Sequence, residues 1–195
     1  AAYDDYLRAL QLYRARGPGL VNAERALLAA VAADPGYAKA YALLSSVLLV
    51  QHYYFAVNVF DAQRRGRSAA ERAVALDDSL AEAHTALGHA HTESFEWSDA
   101  ERELRRGIEL DPRSAEAHYR LAELLINVGR VREAFASLEE VNRLDPLYVT
   151  SVNNRAWVLS MLGRHEEAMI EVKRALSLDP DNVVSKFVAL LVFEH

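Results

Sequence analysis

Cysteine is absent from this 195-residue chain, which excludes disulfides and thiolate chemistry and leaves the compartment open. Glycine and proline are scarce, with eight and five residues, so no linker-like or low-complexity tract divides the chain. No apolar run reaches the roughly 18–20 residues of a membrane-spanning helix, and no secretory signal opens the sequence. A basic stripe is also missing. The 22 basic residues face 28 acidic ones, a net charge of −6, so nucleic acid has no electrostatic footing here. Neither nucleic acid nor direct membrane contact is expected, and the expected location is cytoplasmic.

Signatures of catalysis are missing as well. The chain has no Gly-rich phosphate loop, no nucleophile elbow and no Ser or Thr in a nucleophile setting. Among seven histidines, none stands in an HExxH or paired Cys/His spacing. His89 and His91 are two apart on a helix and face different ways, while His84 and His118 hold equivalent packing positions. Glu116 and Glu123, with Arg120 between them, read as a solvated face with helix-stabilising charge pairs. No enzyme activity, metal or cofactor is expected.

What the sequence does have is a beat. The phrase LDDSLAEAH at 76–84 returns as LDPRSAEAH at 110–118, 34 residues later. Asp111-Pro112, Asp145-Pro146 and Asp179-Pro180 keep the same step. Small residues recur at Gly88, Ala122 and Ala156, and at Ala100, Ala134 and Ala168. Large apolar ones recur at Leu104, Leu138 and Val172, and at Leu110, Leu144 and Leu178. Gly129 and Gly163 sit midway, where one helix must stop. Each unit therefore reads as two amphipathic helices and a tight turn, for example Ala115 to Val128 and then Val131 to Leu144. A helix pair cannot bury its apolar face alone, so neighbours stack and each restates the same contact residues.

The 34-residue period, the small–small helix contact and the closing Leu-Asp-Pro resemble tetratricopeptide repeats. The resemblance covers nearly the whole chain and implies an all-α, right-handed superhelical array of antiparallel helix pairs, about eleven helices. The repeats are expected at about 4–37, 38–80, 81–114, 115–148 and 149–182 in one array over 1–195, followed by a partial helix at 183–194. The second is expanded: Asp34 to Asp77 spans 43 residues, which calls for longer helices or a longer turn around 51–60. The first has a Gly17-Pro18-Gly19 turn and is expected to have a short leading helix. Arg155 puts a charge where Leu87 and Leu121 stand in their units. The start at AAYDDY without Met reads as a piece of something longer. The expanded repeat and the stretch 94–112 also resemble the C-terminal repeat regions of bacterial multidomain signalling proteins, such as winged-helix regulators and nucleotide cyclases.

The resemblance implies an interaction scaffold whose leading helices line a concave groove. The matching positions are Lys39, Ser46, Glu82, Thr85, His89, Glu116, Tyr119, Arg120, Glu123, Asn127, Asn153, Asn154 and Trp157. Core packing is the simpler single account of Tyr119 and Trp157, against which stands a role as groove anchors. Some relatives clamp an acidic peptide terminus. Here Leu12 and Leu43 replace the clamp Asn residues and Glu116 is acidic, so that clamp is broken. The row Glu82, Glu116, Glu123 favours a protein or peptide segment that is basic or mixed apolar–basic. Helix 183–194 lacks the polar face that a terminal helix needs. Self-association through Phe187, Val188, Leu191 and Phe193 is therefore expected, unless further repeats follow. The alternative function is a regulatory or sensor domain of a bacterial signalling or transcription protein.

Overall fold

The computed structural model describes residues 2–15, 17–55 and 57–193, with only the backbone of Phe193. Among the described residues there are eleven α-helices and no strand. They are α1 (Ala2–Ala15), α2 (Gly19–Ala33), α3 (Ala38–Val50), α4 (Val59–Leu76), α5 (Ala81–Glu93), α6 (Trp97–Leu110), α7 (Ala115–Asn127), α8 (Val131–Leu144), α9 (Val149–Met161), α10 (His165–Leu178) and α11 (Val183–Phe193). Two compact units result, Ala1–Pro112 and Arg113–His195. The first pairs α1 with α2, α3 with α4 and α5 with α6; the second pairs α7 with α8 and α9 with α10, and rests α11 on both α9 and α10. Within each pair the two helices run antiparallel.

The recurring Asp at the end of each unit has a physical reason. Asp34, Asp77 and Asp145 end α2, α4 and α8 in an extended backbone. Each turns its carboxylate onto the amide two residues on, Gly36, Ser79 or Leu147, at 3.0, 3.0 and 3.1 Å. That side-chain turn redirects the chain, and a proline after it cannot prolong the helix. The helices then start on different caps: Ser114 Oγ accepts from the Ala117 amide at 3.2 Å, and Asn58 Oδ1 from that of Asp61 at 3.1 Å.

Small residues set how closely the helices approach. In the first unit, Ala38, Ala42, Ala70, Ala73, Ala83 and Ala86 form a tight cluster that packs α3, α4 and α5. At Gly88 a β-carbon would lie 2.6 Å from Leu104 Cγ and 3.0 Å from the Leu104 backbone nitrogen, so α5 and α6 nearly touch. Larger side chains fill the rest, with Leu20, Leu27, Leu44, Val47 and Leu48 in the first unit's main core. In the second, Ala156, Leu159, Ala168 and Val172 receive Val188 and Val192 of α11.

One expectation changes at the N-terminal end. The leading helix of the first repeat is not short, since α1 has 14 residues, as many as α6 or α8. The Gly-Pro-Gly turn begins only after it. The nine extra residues of the second repeat go both ways: α4 lengthens to 18 residues, and a 3-10 turn at Gln51–Tyr53 leads into a longer connection.

The mid-unit turns share one construction. Arg130 N donates to Leu125 O at 2.8 Å and Arg164 N to Leu159 O at 2.9 Å, around Gly129 and Gly163 with φ of 77° and 74°. Such helix ends favour glycine because the left-handed backbone crowds a β-carbon. The α5–α6 turn makes the same bond, Glu96 N to His91 O at 3.0 Å. Its left-handed residue is Phe95, φ 61°, the one non-glycine with positive φ among the described residues. That substitution costs roughly 1 kcal/mol relative to glycine.

Candidate partner-binding surface

The groove candidates divide between the two units, and each set has its own surroundings. In the first unit, Lys39 and Glu82 are exposed and pair at 3.7 Å. Thr85 is buried. Its hydroxyl donates to Ala81 O at 2.9 Å, and a β-carbon at Gly107 would strike it at 2.7 Å, so it fills the α5–α6 contact. His89 is buried too, its Nε2 3.5 Å from Glu93. Ser46 is half-buried and donates to Ala42 O at 3.2 Å.

In the second unit a polar layer stands between α7 and α9. Arg120 lies at its centre, only 4% exposed. Its Nε donates to Glu116 at 2.8 Å and its Nη1 to Glu123 at 2.7 Å. Tyr148, from the turn before α9, donates its hydroxyl to Glu116 at 2.7 Å, and Tyr119 donates to Glu123 at 2.7 Å. The tyrosine rings lie 4.9 Å apart, and Asn154 donates to the Tyr119 hydroxyl at 3.4 Å. Burial, with the Glu123 charge behind it, pushes the Tyr119 hydroxyl well above the ordinary phenol range.

This corrects the picture of a solvated charge pair on α7. The i, i+3 and i, i+4 ion pairs form, but Arg120 is enclosed, and Tyr148, from the turn before α9, reaches back to Glu116. Arg120 pairs with both Glu116 and Glu123, and Lys39 offsets Glu82, so the acidic row is largely neutralised by its own neighbours. Tyr148 is not among the sequence candidates. An aromatic two residues after Pro146 is its available signal.

Asn153 is buried, and its Oδ1 has no hydrogen-bond partner. Asn127, at the end of α7, is exposed. Trp157 is 41% exposed, and one turn further along α9 Met161 is 50% exposed. The pair makes an apolar step beside Asn154, and Met161 is the member that sequence reasoning misses. Its i, i+4 relation to Trp157 is the signal.

Arg155, the charge in a packing position, is explained by its partners. Its Nη1 donates to the buried Glu171 at 2.9 Å, its Nη2 meets Glu139 at 2.6 Å, and its guanidinium lies 5.7 Å from the Phe135 ring centre. α8, α9 and α10 are thereby tied through one side chain. Of the self-association candidates, Phe187 is exposed, whereas Val188 lies in the core with Ala156 and Leu159, and Leu191 is half-buried. The side chain of Phe193 lies outside the described residues. The exposed apolar face of α11 consists of Val183, Val184, Phe187 and Leu190.

Among the described residues, one group of metal-ligating types comes together: His91, Glu96 and Asp99, with ligand atoms within 4.8 Å of one another. Arg67 donates to Glu96 at 2.8 Å and Arg102 to Asp99 at 2.5 Å, so cationic side chains already serve both carboxylates. His91 bonds Glu96 from the other side. The bonds from Arg67 and then His91 pull the Glu96 carboxyl down to about 2. The group is an ion-pair node tying α4 to the α5–α6 turn. No helix of the described residues is long and apolar enough to cross a membrane.

Stacked antiparallel helix pairs with small residues at the close contacts, turned by an Asp-Pro step, define an all-α helical-repeat solenoid. Models of the tetratricopeptide repeat match residues 91–147 and 122–183. Residues 91–183 therefore carry tetratricopeptide repeats. Among solved structures the chain is similar to TTC0263, a thermophilic tetratricopeptide repeat protein in Thermus thermophilus, over 100% of both chains at 16% identity and a TM-score of 0.80. It also resembles YrrB, described as having an unusual peptide-binding site, at 20% identity over 87% of this chain and 83% of that one, TM-score 0.58. The tetratricopeptide domain of Arabidopsis OM64 matches 60% of this chain and 96% of that domain, at 21% identity and a TM-score of 0.57. No curated protein matches in sequence. The fold suggests a protein–protein interaction scaffold.

Proposed function

We propose that the chain is a non-enzymatic scaffold that holds a peptide or protein segment against the leading helices of its repeats, chiefly α7 and α9. The observation that carries this reading is the exposed Trp157–Met161 step beside a rigid polar layer built from Arg120, Glu116, Glu123 and Tyr119. A large aromatic held on a helix and flanked by satisfied polar groups suits an interface anchor. The bound segment is mixed apolar–basic, with an apolar residue on Trp157 and a basic one beside the partly exposed carboxylates of Glu116 and Glu123. YrrB, which shares the fold, is described as having a peptide-binding site.

The test compares capture from source lysate by the parent chain and by a Trp157→Ala, Met161→Ala variant, after helical content and melting are matched. Captured proteins are then scanned as overlapping peptides. Loss of one partner on the variant, with a mixed apolar–basic peptide as its minimal segment, supports the reading. Equal capture by both chains sinks it.

A further inference from the structure

A second surface lies in the first unit, around the α5–α6 turn. Phe95 holds the left-handed position that glycine fills 34 and 68 residues later, and its ring is 74% exposed, touching Trp97 edge-on at 5.4 Å. A buried ring would compensate for the backbone strain through packing, whereas this one meets water. The expanded second repeat brings further rings to the same turn. Tyr53, 63% exposed, donates its hydroxyl to Glu93 at 3.3 Å. On α4, Gln63 donates to Glu93 O at 3.1 Å and Arg67 to Glu96 at 2.8 Å. Phe60, 83% exposed, lies three and seven residues before them on the same helix face.

We propose that Phe95, Phe60 and Tyr53 form a docking site for a short, uncharged aromatic or aliphatic peptide segment of another protein. Area and charge select this occupant. At about 200 Å² per ring, the exposed parts amount to roughly 450 Å². A stable dimer needs about 800 Å² from each partner, so a second copy is poorly served and a short segment is well served. The nearby charges are paired with one another, Arg64 with Asp61 at 2.5 Å and Arg67 with Glu96. A charged ligand would therefore have to break existing pairs.

The experiment is selection of a phage-displayed random peptide library on the whole chain, followed by binding of the selected peptides to Phe95→Gly and Phe60→Ala variants. Phe95→Gly places glycine where this fold uses it, so melting stays level or rises while binding weakens by about tenfold or more. Phe60→Ala alters only an exposed ring and weakens binding likewise. The selected peptides are rich in aromatic or aliphatic residues, and their affinity changes little with salt. Lower melting of Phe95→Gly would assign the ring a structural role and overturn the proposal. So would peptides that bind both variants as well as the parent, failure to select any peptide, or a dimer that either variant dissociates.

Discussion

At the scale of single residues, Arg120 is the buried charge at the centre of the second unit's polar layer. Removing one partner of a fully buried ion pair costs about 3–5 kcal/mol, but Glu116 and Glu123 are 31% and 26% exposed and recover part of that from water. Arg120→Leu is expected to lower unfolding free energy by about 2 kcal/mol in urea titration, with Glu116→Gln in the same background recovering part of it. Glu96 makes a pH prediction. Its folded pKa lies below the ordinary value, so its contribution is present above about pH 4.5 and is lost as pH falls toward about 2. A Glu96→Gln variant should show a shallower loss of melting temperature over that acid window. The identities of these residues are legible in the sequence, but the enclosure of Arg120 is not. Its carboxylate partners are local, at i, i+4 and i, i+3, whereas Tyr148, which bonds Glu116, lies 32 residues from it.

At the scale of helices, contact distances decide tolerance. The position of Gly88 is occupied by alanine at 122 and 156, so the repeat pattern alone makes Gly88→Ala look harmless. The α5–α6 contact contradicts that, since the new carbon would meet Leu104 at 2.6 Å and its backbone nitrogen at 3.0 Å. Overpacking outweighs the helix-propensity gain of about 1 kcal/mol, and a net loss of roughly 1–2 kcal/mol is expected by chemical denaturation. Arg155 is the reverse case. Its charge looks out of place in a packing position, yet Glu171 and Glu139 receive it. Arg155→Ala should cost about 2 kcal/mol in the same assay, because Glu171 would remain buried without that partner.

At the scale of the whole molecule, α11 bears on assembly. Its inner side is buried against α9 and α10, and its outer side exposes Val183, Phe187 and Leu190. We propose self-association through that outer face, with Phe187 the retained candidate and Val188 reassigned to the core. Sedimentation velocity across a concentration series is expected to show a reversible dimer that Phe187→Asp with Leu190→Asp weakens. A monomer at every concentration would end the idea. Charge substitutions on an exposed face leave folding nearly unchanged, so melting serves as the control.

The period, the paired helices and the turns were determined by sequence alone, because each rests on local chemistry: small residues at fixed spacing, Asp-Pro steps, and glycine or its replacement at a left-handed helix end. Even the anomaly at Phe95 is visible as a break in a 34-residue beat. Which side chains meet water was decided only by the tertiary structure. Packing between helices buries Arg120, Thr85 and His89 and leaves Trp157 and Met161 open, and no local periodicity records how far a side chain from another helix will reach.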